Sequence, residues 1–335
     1  MSDGAATSRF TNEQQAVVES PAKTLKVNAF AGTGKTTTLV GYAKARPAKK
    51  MLYIAFNKAI QEEAETKFPG NVTAMTTHSI AYRAVGYKYR SKLAPSNRVS
   101  DVAAEMNIGM PMARKVIDAL NNFLVSADND IGVDHIENAI AVNPAEFGVI
   151  VSGAKAMWKR MQDINDSGIK MVHDGYLKLF QLGSPRLDYD VILFDEAQDA
   201  NPVTSSIVSQ QNCAKVYVGD SHQAIYGFRK AVNAMAGFKA EETLYLTRSF
   251  RFGRGVASVA NELLNLKGET KQAEGAGAHQ NTIFEVDRNK HHAIIARTNS
   301  QLFDEAVNAI RAGKTPHFVG RLEDYRFSLI MDAYL

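Results

Sequence analysis

The sequence predicts an α/β fold: a parallel sheet covered by helices on both faces, a mostly helical insertion, and a partial second α/β unit. Three observations carry this prediction. Short, nearly all-apolar runs alternate with helical patterns, as buried parallel strands and their crossovers do. A glycine-bearing loop joins the first of these runs to a helix-like run, in "VNAFAGTGKTTTLV" (27–40). From about 83 to 186 the strand-like runs give way to apolar residues at three- and four-residue spacing.

The expected strands are "TLKVNAF" (24–30), "MLYIAF" (51–56), "NVTAMTTHS" (71–79), "DVILFDE" (190–196) and "AKVYVGD" (214–220). Each ends in a polar or glycine-containing turn. "KTTTLVGYAKA" and "KAIQEEAETKF" read as helices between them. In the insertion, "SDVAAEMNIGMPMARKVIDALNNFLVSA" and "AVNPAEFGVIVSGAKAMWKRMQDIN" read as helices. After about 248, "VASVANELLNL" and "SQLFDEAVNAIRAG" read as helices, and "HAIIART" and "PHFVG" as strands. "KGETKQAEGAGAHQN" (267–281) reads as a surface loop. The expected domains are therefore 1–90 and 187–247 for the main unit, 91–186 for the insertion and 248–335 for the partial unit.

Bulk composition narrows the classes. With 335 residues, two or three domains fit; 45% hydrophobic and 22% charged residues argue against wholesale disorder. A net charge of +4 permits a nucleic-acid partner without establishing one. The single cysteine, Cys213, excludes an internal disulfide and fits a reducing compartment. No stretch approaches the ~20 apolar residues of a membrane span, and "MSDGAATSRF" lacks a signal's basic and apolar regions. The expectation is a cytoplasmic or nucleoid-associated protein with no membrane partner.

Three motifs carry chemistry. "AFAGTGKT" matches the phosphate-loop pattern, with Ala29 where its first glycine usually stands. Gly32, Thr33 and Gly34 would turn backbone N–H groups toward phosphates, Lys35 would reach the β/γ-phosphates, and Thr36 would ligate Mg²⁺. In "DVILFDEAQDANP" an apolar strand delivers Asp195 to hold Mg²⁺ and Glu196 to act as general base. Alone, such an Asp-Glu pair is usually a helix cap; beside a phosphate loop it becomes a hydrolytic site. In "VYVGDSHQAIYGFRKAVNA", Gln223 has the chemistry to sense a γ-phosphate, and Tyr226, Phe228 and Arg229 suit single-stranded nucleic acid. Phe228 by itself would equally suit a helix core. "KHH" (290–292) and "RPAKK" (46–50) carry no comparable pattern.

The order "TNEQQAVV", "AFAGTGKTTT", "YIAFNKAIQEEA", "TTHSIAYRA", "FDEAQD", "VGDSHQAIYGFRKA" and "LTRSFRFG" resembles a superfamily 1 DNA helicase of the UvrD/Rep/PcrA type. Within that group it looks most like the F-box DNA helicase branch, although no F-box is apparent. The resemblance implies a RecA-like P-loop NTPase sheet with a partial second RecA-like domain, and ATP with Mg²⁺ as cofactors. By the resemblance, Gln14 would read the adenine edge, Phe250 would pack on the adenine and Arg251 would touch the γ-phosphate. Thr37 would complete the loop. Phe56, Asn57, Lys58, Thr77 and His78 would line a single-strand track, with His78 equally explicable as a structural cap.

What the resemblance implies about activity is ATP-driven translocation on single-stranded DNA, 3′ to 5′, in repair or recombination. DNA with a single-stranded tail is the expected substrate, and replication or recombination proteins are possible partners. The alternatives are a nucleotide-gated single-strand-binding ATPase or recombination regulator that does not unwind, and an ATPase unconnected with DNA. The family's "TVHSAKGLE"-like segment and its later arginine motif do not appear in these residues. The expectation is a piece of a longer helicase, against a natural short form, that binds ATP, hydrolyses it slowly and does not unwind a duplex.

Overall fold

Helix and strand boundaries follow local chemistry. The computed structural model describes residues 10–137, 139–224, 234–278, 290–320 and 322–325. Helix α1 (Asn12–Glu19) opens on a capping box: Thr11 accepts from Gln14 N, and the Gln14 side chain accepts from Thr11 N. Strand β1 (Thr24–Ala29) leads through the glycine loop into α2 (Lys35–Lys44). Strand β2 (Met51–Ala55) leads to α3 (Lys58–Lys67), capped by Asn57, and β3 (Val72–Thr76) to α4 (Thr77–Ala84), capped by Thr76. The expected strand 71–79 therefore stops at Thr76, because its last residues complete a helix start.

The insertion comprises α5 (Val99–Met106), α6 (Met110–Val125), α7 (Phe147–Gln162) and α8 (His173–Leu182). The first expected helix of this region is two: Asn107 adopts φ +51, the left-handed conformation that ends α5, and Gly109 and Pro111 open α6. The chain then supplies β4 (Val191–Phe194), α9 (Pro202–Ser209), β5 (Ala214–Gly219), the short α10 (Ala234–Gly237) and β6 (Glu242–Leu246). Strand β6 is absent from the sequence expectation, since "ETLYL" is too short and mixed to separate from a turn.

All six strands are parallel, in the order β3-β2-β4-β5-β1-β6. Their alternating side chains build two cores. Leu25, Val27, Met51, Tyr53, Val191, Leu193, Val216 and Val218 pack with Val17, Leu39 and Tyr42 of α1 and α2 on one face. Leu52, Ile54, Ile192, Phe194 and Tyr217 pack with Val208, Met235 and Phe238 on the other. Near-continuous apolar strands need this two-sided cover. The insertion has its own core, including Leu120, Phe123, Ile150, Met157 and Leu177, joined by Val203 and Ile207 of α9.

Two compact units emerge, residues 1–281 and 282–335. Residues 248–278, expected in the second domain, pack within the first unit. There β7 (Arg248–Ser249) pairs in parallel with β8 (Glu274–Gly275), inside the segment read as loop, and α11 spans Arg254–Leu266. The second unit holds α12 (Asn299–Arg311) as expected. Among the described residues, "HAIIART" and "PHFVG" form no strand.

Candidate nucleotide site and nucleic-acid interface

Neighbouring strands bring the three motifs together. β4, β5 and β1 lie side by side, so the loops at their C-terminal ends converge where ligands sit in parallel α/β sheets. Gly32 and Gly34 adopt φ +75 and +79, a left-handed backbone that glycine enters without penalty. Gly32 also lacks room for a side chain: a Cβ there would lie 2.4 Å from Arg251 Cβ and 2.7 Å from Ser249 Oγ. Thr33 Oγ1 donates to Phe30 O (2.8 Å), fixing the curl, and α2 starts directly after Gly34 with its first N–H groups facing the loop.

Opposite the loop stands the acidic pair. Asp195 is 5% exposed and accepts from Tyr53 OH at 2.7 Å, with Thr36 Oγ1 at 3.5 Å from the same oxygen. Burial first, and then the Glu196 charge, push the Asp195 carboxyl above the ordinary range. Burial likewise raises the Tyr53 phenol, which keeps its proton and donates. Lys35 Nζ lies 2.8 Å from Glu196 Oε2, in an ion pair that is largely shielded from water. Glu196 itself adopts φ +48, a conformation that costs a non-glycine residue roughly 1–2 kcal/mol.

Gln198 and Asp220 connect the acidic turn to the β5 loop. The Gln198 amide donates to Glu196 Oε2 (2.9 Å) and Asp199 Oδ2 (3.0 Å), and its oxygen accepts from Asp220 N (3.0 Å). Asp220 in turn accepts from the Gln223 side chain. Tyr53, Gln198 and Asp220 join the site although the sequence motifs assign them no role there. The available signals were a hydroxyl-tipped ring in an otherwise apolar strand and a second amide in "DEAQD".

Gln14 is buried and fully engaged: Nε2 donates to Thr33 O (3.0 Å) while Oε1 accepts from Thr11 N. Phe250 N donates to Gly32 O (2.8 Å), which docks the "SFRFG" segment on the glycine loop and leaves Phe250 and Arg251 exposed. Thr37 lies in the first turn of α2.

Along the same rim, Phe56, Asn57 and Lys58 follow β2, and Thr77 and His78 follow β3. Asn57 Oδ1 accepts from Ile60 N, Lys58 faces Glu62 at 3.4 Å and Thr77 is buried. His78 is 3.0 Å from Asp174 and meets the Tyr176 ring edge-on. Tyr226, Phe228 and Arg229 lie outside the described residues.

A family model described as an AAA domain matches residues 13–229, which include the glycine loop, the acidic turn and the β5 loop. The chain belongs to the AAA-domain family. Within it, this AAA-domain chain is a superfamily 1 member of the UvrD/Rep/PcrA type, with a RecA-like P-loop fold. It is 36% identical to F-box DNA helicase protein 1 of Schizosaccharomyces pombe, over 90% of this chain and 39% of that protein. It is 34% identical to F-box DNA helicase 1 of Gallus gallus, over 97% of this chain and 35% of that protein. The ATP-dependent DNA helicase PcrA of Leuconostoc citreum is 23% identical over the whole chain and 53% of its own length. The AAA-domain chain thus spans between about a third and a half of these relatives' length.

Proposed function

We propose that this chain is the nucleotide-hydrolysing part of an ATP-dependent DNA helicase that tracks along single-stranded DNA. The observation carrying this reading is the cluster Lys35, Thr36, Asp195 and Glu196 beyond the C-terminal ends of β1 and β4, the two strands that flank β5. Its relatives' names supply the DNA.

The donor set suits Mg²⁺. Thr36 and Asp195 offer hydroxyl and carboxylate oxygens 3.5 Å apart, and among the described residues no cluster of three or more His, Cys, Asp or Glu offers a fuller cage. Mg²⁺ takes such partial oxygen sets and completes its shell with water and phosphate oxygens. Bound there, it would neutralise phosphate charge. The P-loop N–H groups and Lys35 hold the phosphates. In turning to a phosphate, Lys35 leaves Glu196, whose carboxylate is then held by Gln198 and free to take a proton from the attacking water. Gln223 and Arg251 act at the γ-phosphate. Phe250 packs on the adenine, and Gln14 reads its edge by exchanging its bonds to Thr33 or Thr11.

The DNA contacts proposed are Phe56, Asn57, Lys58, Thr77, His78, Tyr226, Phe228 and Arg229, with 3′-to-5′ movement. Lys35→Ala should weaken fluorescent-nucleotide binding by removing a charge-assisted contact, whereas Glu196→Gln should bind normally and lose turnover. Normal phosphate release by Glu196→Gln would remove the general base from this scheme. A strand-displacement assay on tailed duplex tests unwinding, and single-strand binding without displacement would favour the non-unwinding regulator.

A further inference from the structure

We propose that the outer surface of α4 and the 3₁₀ turn after it form a stacking platform for single-stranded DNA, apart from the 226–229 segment. The inference rests on the DNA reading above and extends it to the junction between the sheet and the helical insertion.

Charge is distributed unevenly along the chain. Residues 20–100 carry fourteen Lys and Arg against three Glu, whereas the remaining residues carry 25 Lys and Arg against 32 Asp and Glu. Those three glutamates lie together on α3, where Glu62 and Glu63 pair with Lys58 and Lys67 and Glu65 accepts from Gln61. From Thr66 to Ser100 there is no acidic residue. Within that stretch Tyr82, Arg83, Tyr87, Lys88 and Arg90 are all exposed. Cations interleaved with exposed aromatic rings are the composition that tracks a phosphate backbone while stacking its bases.

The rings are anchored. Tyr176 of α8 is buried, and its ring meets Tyr82 and His173 at 5.7 Å and His78 at 6.2 Å, each near edge-on. His173 Nδ1 lies 3.0 Å from the Tyr176 hydroxyl. Tyr82, His78 and His173 all retain accessible surface. Gly86 leaves the space this needs, because a Cβ there would come within 2.8 Å of Tyr82 and 2.9 Å of Tyr176. Asp174, an acid at the edge of the cluster, has its carboxylate 3.0 Å from His78 Nε2. Rings held this way present a stacking surface at little entropic cost.

The partner is a single strand and not a duplex, because stacking on Tyr82 needs a base that is free of its own neighbours. The position fits: α4 begins where β3 ends, on the sheet rim that carries the nucleotide site, and Tyr82 follows His78 by one helical turn.

The test is fluorescence anisotropy with labelled oligo-dT and, separately, a blunt duplex of equal length, each titrated at several KCl concentrations. Tyr82→Ala should weaken oligo-dT binding about tenfold or more, the loss expected for one stacked base. Tyr82→Phe, which keeps the ring, should bind like the wild type. The combined change Arg83→Gln, Lys88→Gln and Arg90→Gln should reduce the slope of log K against log[KCl] by about two, near 0.7 per phosphate contact. Arg83, Lys88 and Arg90 are exposed, so the triple change should leave the melting temperature unchanged, and the melting temperature of Tyr82→Ala, which gives up its ring contact with Tyr176, is measured beside that of Tyr82→Phe. Wild-type single-strand affinity and salt slope in these variants would overturn the platform while leaving the helicase reading intact. Loss confined to the duplex would also overturn it. Failure of the wild-type chain to bind any DNA would instead remove the proposed function, and this surface with it.

Discussion

Glu196 pairs the most demanding chemistry proposed for this molecule with a strained backbone. Its φ of +48 persists because the turn is held from several sides: Glu196 N donates to Asp195 Oδ1, Asp199 N donates to Glu196 O, and Gln198 grips the carboxylate. Gly219 makes that grip possible, since a Cβ there would lie 2.4 Å from Gln198 Oε1 and 3.1 Å from Gln198 N. Gly219→Ala should therefore push Gln198 off Glu196. We expect turnover to fall about tenfold, the equivalent of ~1.4 kcal/mol in the barrier, with nucleotide affinity nearly unchanged. Steady-state phosphate release and nucleotide titration check this. Gln198→Ala should reproduce the defect, and wild-type turnover in both variants would show that Gln198 does not position the base.

At the scale of elements, the insertion is organised by a charge placed where only apolar groups are usual. Lys178 of α8 is fully buried; its Nζ donates to the carbonyls of Ser126 (2.9 Å) and Asp128, and it stands 4.2 Å over the Phe123 ring. It thereby closes the C-terminal end of α6, where carbonyls lack helical partners. Burial brings its pKa down to about 8. Between pH 8 and the ordinary lysine value, the unfolded chain keeps this proton and the folded one releases it. Stability contributed by this residue therefore rises with pH across that window, by a few kcal/mol at most. Urea midpoints measured from pH 7.5 to 10 should improve for the wild type relative to Lys178→Met. Parallel pH curves for the two proteins would mean that Lys178 does not titrate there.

On the scale of the whole molecule, the two proposed ligands meet through one hydrogen-bonded chain. Glu196, Gln198, Asp220 and Gln223 link the nucleotide pocket to the β5 loop, and the 226–229 segment follows Gln223 by three residues. Ligands that both bias this chain must affect each other equally in binding free energy. A non-hydrolysable ATP analogue should change oligo-dT affinity by some factor, typically ~5–150-fold for coupled sites, and oligo-dT should change analogue affinity by the same factor. Gln198→Ala should shrink both factors together. Coupling that survives this variant undiminished would exclude the chain as its route.

The sequence by itself determined the parallel strands, the phosphate loop and the acidic strand end, because each is written in contiguous residues. Apolar runs fix β1, β2, β4 and β5, and Gly32 to Thr36 occupy consecutive positions. It also carried the family's order of motifs. Only the tertiary structure decided what distant segments do to one another. Tyr53 is a core residue in its own strand and becomes a donor to Asp195 because β2 and β4 are neighbours. Gly219 looks like a turn residue until Gln198 is set against it. Segment 248–278 pairs and packs in the first unit, although its helix reads as the opening of a second. The physical reason is the same in each case. Local pattern records which face of an element is apolar, whereas strand order and crossover contacts depend on partners many residues away.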